Sequence, residues 1–428
     1  MDESLKFKKA IYHIWTFTAS KLISSFGAQV YSFALSFYIL RLTGSAMSFA
    51  TNLICNILPR TIAAPIAGHF ADKYSRKTIV IVAQIVTVMA IGGLLVVSLE
   101  FGLSLAAIYT TSCILSLTSM FSSITFTSSI TGLVNKEKIQ KAMSLNQMSI
   151  SFASIGSPAV GGLLYGVVSM PVFLMIYMLA SSIAVILEST MNFNLFAHRN
   201  NKEPEDKESL KESIKAGLNY LKMQPLLLTL ISISLFINFL FGAYQVGYSF
   251  ILIKKFKMTS QQFGFTEGAF AVGMLLLSFY FSVRNEVKFP FVVSKRGIIG
   301  MGFIMGAVAL PLVIQMPQLI FIYYMGLSFG LGSLIITVNT PMQVMLQKQI
   351  DDDYKGRIFS ILEMMAMALM PLGMLLYGYL YDVFPAQWII ILSSSLLVGS
   401  VLVLARPSVV RKIHPQINLD RNLITNKM

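Results

Sequence analysis

The sequence predicts an all-α membrane protein, and three observations predict it. Of 428 residues, 55% are apolar and only 12% charged, about half the charge of an ordinary soluble chain. The mean hydropathy is +0.70. Apolar runs of roughly 20 residues or more recur along the whole chain, the length an α-helix needs to cross about 30 Å of hydrocarbon. The first run is too long for a cleaved signal and lacks a small-residue cleavage site.

Twelve spans are expected, at 11–40, 46–71, 78–99, 104–132, 140–168, 171–197, 224–252, 260–283, 295–315, 318–346, 356–381 and 386–405. Between the sixth and seventh lies the one long polar segment, "HRNNKEPEDKESLKES". Its alternating charge marks a solvated linker. The expected organisation is an amino-terminal six-helix bundle over 1–197, a cytoplasmic linker over 198–223, a carboxy-terminal six-helix bundle over 224–405 and a tail over 406–428.

An even number of spans puts both termini on one side. Most of the 33 Lys and Arg fall on that side; Lys21 and Arg60 lie within spans, and Arg41, Lys254, Lys255 and Lys257 lie opposite. The positive-inside rule then places both termini in the cytoplasm. The net charge of +14 does not point to nucleic acid, because the cations are scattered over short loops rather than gathered on one soluble module. Anionic headgroups of the bilayer account for them.

Between the second and third spans, residues 68–77 read "GHFADKYSRK". On these residues the chain resembles the major facilitator superfamily of secondary transporters, whose commonest motif lies in this same loop. Gly68, Ala71, Asp72, Lys73, Arg76 and Lys77 match that motif, while Phe70 and Ser75 depart from it. A carboxylate at a helix end can accept hydrogen bonds from the N-terminus of a neighbouring helix. The resemblance implies that Asp72 docks on the start of span eleven, beside Gly356 and Arg357, as a conformational switch.

In span five, "SIGSPAVGGLLYG" carries Pro158, Gly161 and Gly162, which resemble a pattern of proton-coupled drug exporters, with Ser157 standing in for its Gly. "DDYKGRIFSILEMMAMALMPLG" and "RLTGSAMSFATNLICNILPR" are similar to stretches of the macrolide-efflux-type branch. The resemblance implies two six-helix bundles in the major facilitator fold, alternating access and drug–proton antiport. Span four departs from it: "IYTTSCILSLTSMFSSITFTSSITGL" holds no charge, where drug antiporters often carry an Arg.

A charge inside a span costs several kcal/mol unless it is paired or faces water. Lys21, Arg60, Glu188, Glu267 and Glu363 are such charges. Glu267 and Glu363 are the proton-coupling candidates, since a carboxylate shut away from water is costly to keep ionised. Glu188, towards the end of its helix, is expected to reach the headgroups. Lys21, Ser25, Gln29, Ser32 and Ser36 share one helix face, as do Ser48, Asn52, Asn56 and Arg60. Two stripes ending in cations predict the wall of a wetted cavity. Asn238, Gln245, Asn339 and Gln343 would add to it from the other half. Met364, Met367 and Met370 are expected lining, because methionine repacks around varied apolar guests.

Enzyme chemistry finds no support. The four His have no metal-ligand spacing or nucleophile partner, and no Walker-type loop cradles a phosphate. No cofactor is expected. The partners expected are a hydrophobic or amphipathic small molecule, such as a macrolide-like antibiotic, and protons. Two alternatives stand beside this reading. One is a carrier or flippase for an anionic amphiphile such as a lysolipid or siderophore, held by Lys21 and Arg60; the other is a non-transporting membrane sensor or partner protein.

Overall fold

The computed structural model describes residues 3–135, 138–193, 195–196, 225–284, 287–314, 319–349 and 368–413. Among these there are helices and no strand. In chain order they are α1 (Glu3–Thr43), α2 (Ala46–Lys73), α3 (Arg76–Glu100), α4 (Leu105–Leu133), α5 (Ile139–Val167), α6 (Met170–Ser189) and α7 (Pro225–Phe250). After α7 come α8 (Ser260–Val283), α9 (Pro290–Ala307), α10 (Leu310–Val313), α11 (Ile320–Gln349), α12 (Met370–Val383), α13 (Ala386–Leu404) and α14 (Pro407–Ile413).

Ten stretches of described helix are long and apolar enough to cross a membrane. They fall on ten of the twelve expected spans. The second span is the 28-residue α2, whose Asn52, Asn56 and Arg60 dilute its hydropathy. Of the eleventh span only the part from residue 368 is described. The linker at 198–223 and the tail beyond 413 lie outside the described residues, as do Gly356, Arg357, Glu363, Met364 and Met367. Span six is shorter than expected, since α6 ends at Ser189.

The helix joints follow from local chemistry. Gly44 closes α1 at φ 59°, a conformation cheap only for glycine, and its N–H bonds the Leu40 carbonyl at 2.9 Å. Ser45 then caps α2 by accepting from the Ser48 N–H at 3.1 Å. The same recipe joins α3 to α4, with Gly102 at φ 74° and Ser104 accepting from the Ala107 N–H.

The chain divides into two compact units, Met1–Glu203 with Leu252–Gly268, and Pro204–Ile251 with Ala269–Met428. In the first unit α1 packs on α5 and α6, α2 on α4, and α3 between α4 and α6. Its apolar side chains form two separate clusters. One holds Leu35, Ile39, Ile91, Leu94, Ile108 and Leu174; the other holds Ile14, Phe17, Val80, Phe126, Ile130 and Leu133. On α1 and α4 a polar stretch separates the two, and on α3 the two polar side chains Gln84 and Thr87 lie between them.

In the second unit α7 packs on α12 and α13, and α9 lies between α11 and α13. The helix at 290–313 breaks after Ala307 because Pro311 has no N–H to give that carbonyl. Two tyrosines of α11 take over the freed groups: Tyr323 donates to the Ala307 carbonyl at 2.7 Å, and Tyr324 to the Val308 carbonyl at 2.8 Å. Outward faces are apolar, with Phe303 68% and Trp388 66% exposed, as lipid contact demands.

Interhelical hydrogen bonds in lipid are worth about 0.6 kcal/mol on average and up to about 1.7. Tyr324→Phe, which leaves a buried carbonyl unpaired, is expected to lower the melting temperature of the detergent-solubilised protein. The same change at the exposed Tyr379 should not, and thermal unfolding of the two variants side by side checks it.

Candidate functional site

A polar cavity of about 400 Å³ opens in the first unit, walled by α1, α2, α3, α4, α5 and α6. It occupies the polar layer between the two apolar clusters. Helical spacing on four elements builds its wall. From α1 come Lys21, Ser25, Gln29 and Ser32; from α2, Asn56 and Arg60; from α3, Gln84 and Thr87; and from α4, Ser116, Ser119, Ser122 and Ser123. Tyr31, Phe126 and Tyr177 add aromatic surface, and Glu188 of α6 completes the ring.

Glu188 is the least expected member. It does not reach headgroups: it is 1% exposed. Its Oε1 accepts from Ser20 Oγ at 2.6 Å and from Gln84 Nε2 at 3.2 Å. Gln84 Nε2 also donates to Ser24 Oγ at 2.8 Å. Glu188 Oε2 has no hydrogen-bond partner among the described residues. The nearby cation Lys21 donates to Ser123 Oγ at 3.3 Å rather than to the carboxylate. Arg60, across the cavity on α2, is exposed and donates no hydrogen bond among the described residues.

The two expected stripes separate in space. Gln29 lines the cavity and ties α1 to α5, donating to Ser154 Oγ at 3.1 Å and accepting from Ser157 Oγ at 3.4 Å. Asn56 lines it too, its carbonyl accepting from Ser116 Oγ at 2.7 Å. Asn52 is fully buried instead. It accepts from Ser112 Oγ at 2.9 Å and donates to Ser36 Oγ at 3.3 Å, linking α1, α2 and α4.

The loop motif is placed at helix ends. Gly68, Asp72 and Lys73 fall in the last two turns of α2, and Arg76 and Lys77 open α3. Both cations reach carbonyls near the C-terminal ends of neighbouring helices, where a positive charge is favoured. Arg76 Nη1 donates to the Ser128 carbonyl of α4 at 2.8 Å, and Lys77 Nζ to the Ser189 carbonyl of α6 at 2.7 Å.

Pro158, Gly161 and Gly162 form a close seam within the same unit. A Cβ on Gly162 would strike the Ser260 carbonyl and lie 3.3 Å from the Gly264 Cα. A Cβ on Gly161 would meet the Phe33 ring at 3.0 Å. Backbone-to-backbone crossing of α5 and α8 therefore requires small residues here. Glu267, one turn beyond Gly264, is half-buried, lies outside the cavity wall, and makes no hydrogen bond among the described residues.

In the second unit Asn238 and Gln245 stand half-buried on α7, and Asn339 and Gln343 exposed on α11. Among the described residues Asn238 Nδ2 bonds only the Ser234 carbonyl, one turn back on its own helix, at 3.0 Å. Met370 opens α12.

Sequence reading passed over Gln84, Glu188 as a cavity group, and the serines of α4. A signal for the serines was present: Ser112, Ser116, Ser119 and Ser123 recur at three or four residues, one face of a helix. Span four is uncharged, yet it forms the hydroxyl wall.

An all-helical chain with apolar outer faces and a polar cavity inside one unit has the build of a solute transporter of the membrane. The chain belongs to the transmembrane secretion effector family of the major facilitator superfamily, whose description matches residues 6–421. It is therefore a multi-pass transporter of the cell membrane and not an enzyme. It is 24% identical over 413 residues to macrolide efflux protein A of Streptococcus pyogenes, covering 96% of this chain and 99% of that one. To the uncharacterised MFS-type transporter YfiS of Bacillus subtilis it is 27% identical over 404 residues, with 91% of each covered. The fold resembles the inward-facing crystal structure of a bacterial homologue of the iron transporter ferroportin, at TM-score 0.66 and 14% identity, covering 92% of this chain and 99% of that one.

Asn52→Leu removes two interhelical bonds, so it is expected to cost roughly 1–2 kcal/mol of bundle stability. Thermal unfolding in detergent checks this; Asn56→Ala, which keeps the backbone carbonyl that Ser116 uses, should cost less.

Proposed function

We propose that this protein exports a hydrophobic or amphipathic small molecule across the cell membrane, coupled to inward movement of protons. In this reading the chain has twelve transmembrane helices and cytoplasmic termini, and works by alternating access. The polar cavity of the first unit is the observation that carries it. About 400 Å³ lies within the range of small-molecule sites, and its wall mixes aromatic rings with hydroxyls and amides. Such a lining holds an amphipathic guest by its apolar body and orients its polar groups. The name of the streptococcal relative, macrolide efflux protein A, supports a drug-like guest.

A second reading draws on one specific pair. Lys21 and Arg60 both face the cavity, and two cations suit the headgroup of an anionic amphiphile such as a lysolipid.

Proteoliposomes with an imposed pH gradient distinguish the two. The expected outcome is gradient-driven movement of a macrolide or of the dye ethidium. Movement of a lysolipid alone, lost in both Lys21→Gln and Arg60→Ala, would replace the first reading with the second. No movement of any probe under the gradient would remove proton coupling.

A further inference from the structure

We propose that Glu188 binds the coupling proton. The inference rests on the export reading above, and gives its coupling step to an acid in the amino-terminal bundle, not to Glu267 or Glu363.

Geometry argues for it. A site that loads and unloads a proton needs a carboxyl group out of bulk water, with one oxygen held and the other free to take the proton. Ser20 and Gln84 both donate to Oε1, which fixes the group in place. Oε2 is buried and has no hydrogen-bond partner among the described residues. A buried oxygen left unpaired costs free energy as an anion, and a proton bound there removes that cost. The group also borders the cavity, so water entering with the guest gives the proton a route. Among the described residues Glu267 has neither holding donors nor a place in the cavity wall.

The charges around the site tune it without neutralising it. On α1, Lys21 shares the cavity but spends its bond on Ser123, and the buried His13 sits two turns earlier. On α3, Gln84 is uncharged, and Lys77 is held by the Ser189 carbonyl. On α5, Lys141 lies over the Trp15 ring, 5.9 Å from its centroid. On α2, Arg60 faces the site from across the cavity. Lys21 and Arg60 thus supply positive potential that helps expel the proton once the cavity opens to the cytoplasm. In each cycle one proton passes from external water to Oε2, and from Oε2 to cytoplasmic water. No covalent bond other than O–H is made or broken.

The test uses the full-length protein in proteoliposomes with ethidium or a macrolide as probe. Glu188→Gln is expected to lose gradient-driven accumulation by about tenfold or more, a much larger loss than in exchange of labelled for unlabelled probe without a gradient. That exchange should also lose its dependence on pH. Glu188→Asp, which keeps the carboxyl group, should recover part of the accumulation. Glu267→Gln and Glu363→Gln should keep it. If Glu188→Gln still accumulates probe against the gradient, Glu188 is not the proton site, although the export reading stands. If the wild-type protein ignores the gradient, proton coupling and this inference fall together. A measurement on the wild-type chain guards against a variant that does not fold. Dicyclohexylcarbodiimide, which attacks protonated buried carboxyls, should label Glu188, less as pH rises and less with probe bound. Labelling confined to Glu267 or Glu363 would overturn the proposal.

Discussion

Within hydrocarbon, a polar group that finds no protein partner finds none at all, and the first unit is organised by that constraint. Glu188 is its extreme case, a carboxylate 1% exposed. Its burial is tolerable because Ser20 and Gln84 donate to it, and because Gln84 is itself fixed on Ser24. This places α1, α3 and α6 in a set rotation about their axes. The α4 serines extend the same logic to α2 through Asn52 and Asn56.

The polar layer is confined from both sides. Leu35, Ile91, Ile108 and Leu174 close one end and Phe17, Val80, Phe126 and Ile130 the other. Apolar packing provides most of the cohesion, while the polar layer decides which helix faces meet. Arg76 and Lys77 add ties at the helix ends, each using a cation where the neighbouring helix presents its negative pole. A bundle tied at the ends of α4 and α6 and bonded across its middle resists the sliding of one helix past another.

Family membership and mechanism rest on different residues. The fold persists at 14% identity to a solved transporter, because it needs only apolar spans of sufficient length and small residues at the crossings. Gly162 and Gly264 show this: what matters there is the missing side chain. The groups that do chemistry are few and local. The charged residues of the cavity wall are Lys21, Arg60 and Glu188, and of these only Glu188 is bonded into the network that orients α1, α3 and α6.

Composition and periodicity by themselves determined the membrane class, the all-helical build and the polar stripes of the first two helices, and short motifs carried the resemblance to the family. Each is a one-dimensional property: run length, spacing, or a short motif. Lys21, Ser25, Gln29 and Ser32 could be read as a cavity face because a helix repeats every 3.6 residues. Only the tertiary structure decided that Asn52 turns into the bundle while Asn56 turns to the cavity, that an uncharged α4 supplies the hydroxyl wall, and that Glu188 meets Ser20 and Gln84 rather than water. Those partners are separated by 168 and 104 positions in the chain. The physical reason is that a lone carboxylate near a helix end has two acceptable outcomes, headgroup or buried network. Which one is realised depends on donors carried by other helices, and helix periodicity says nothing about which helices will be neighbours.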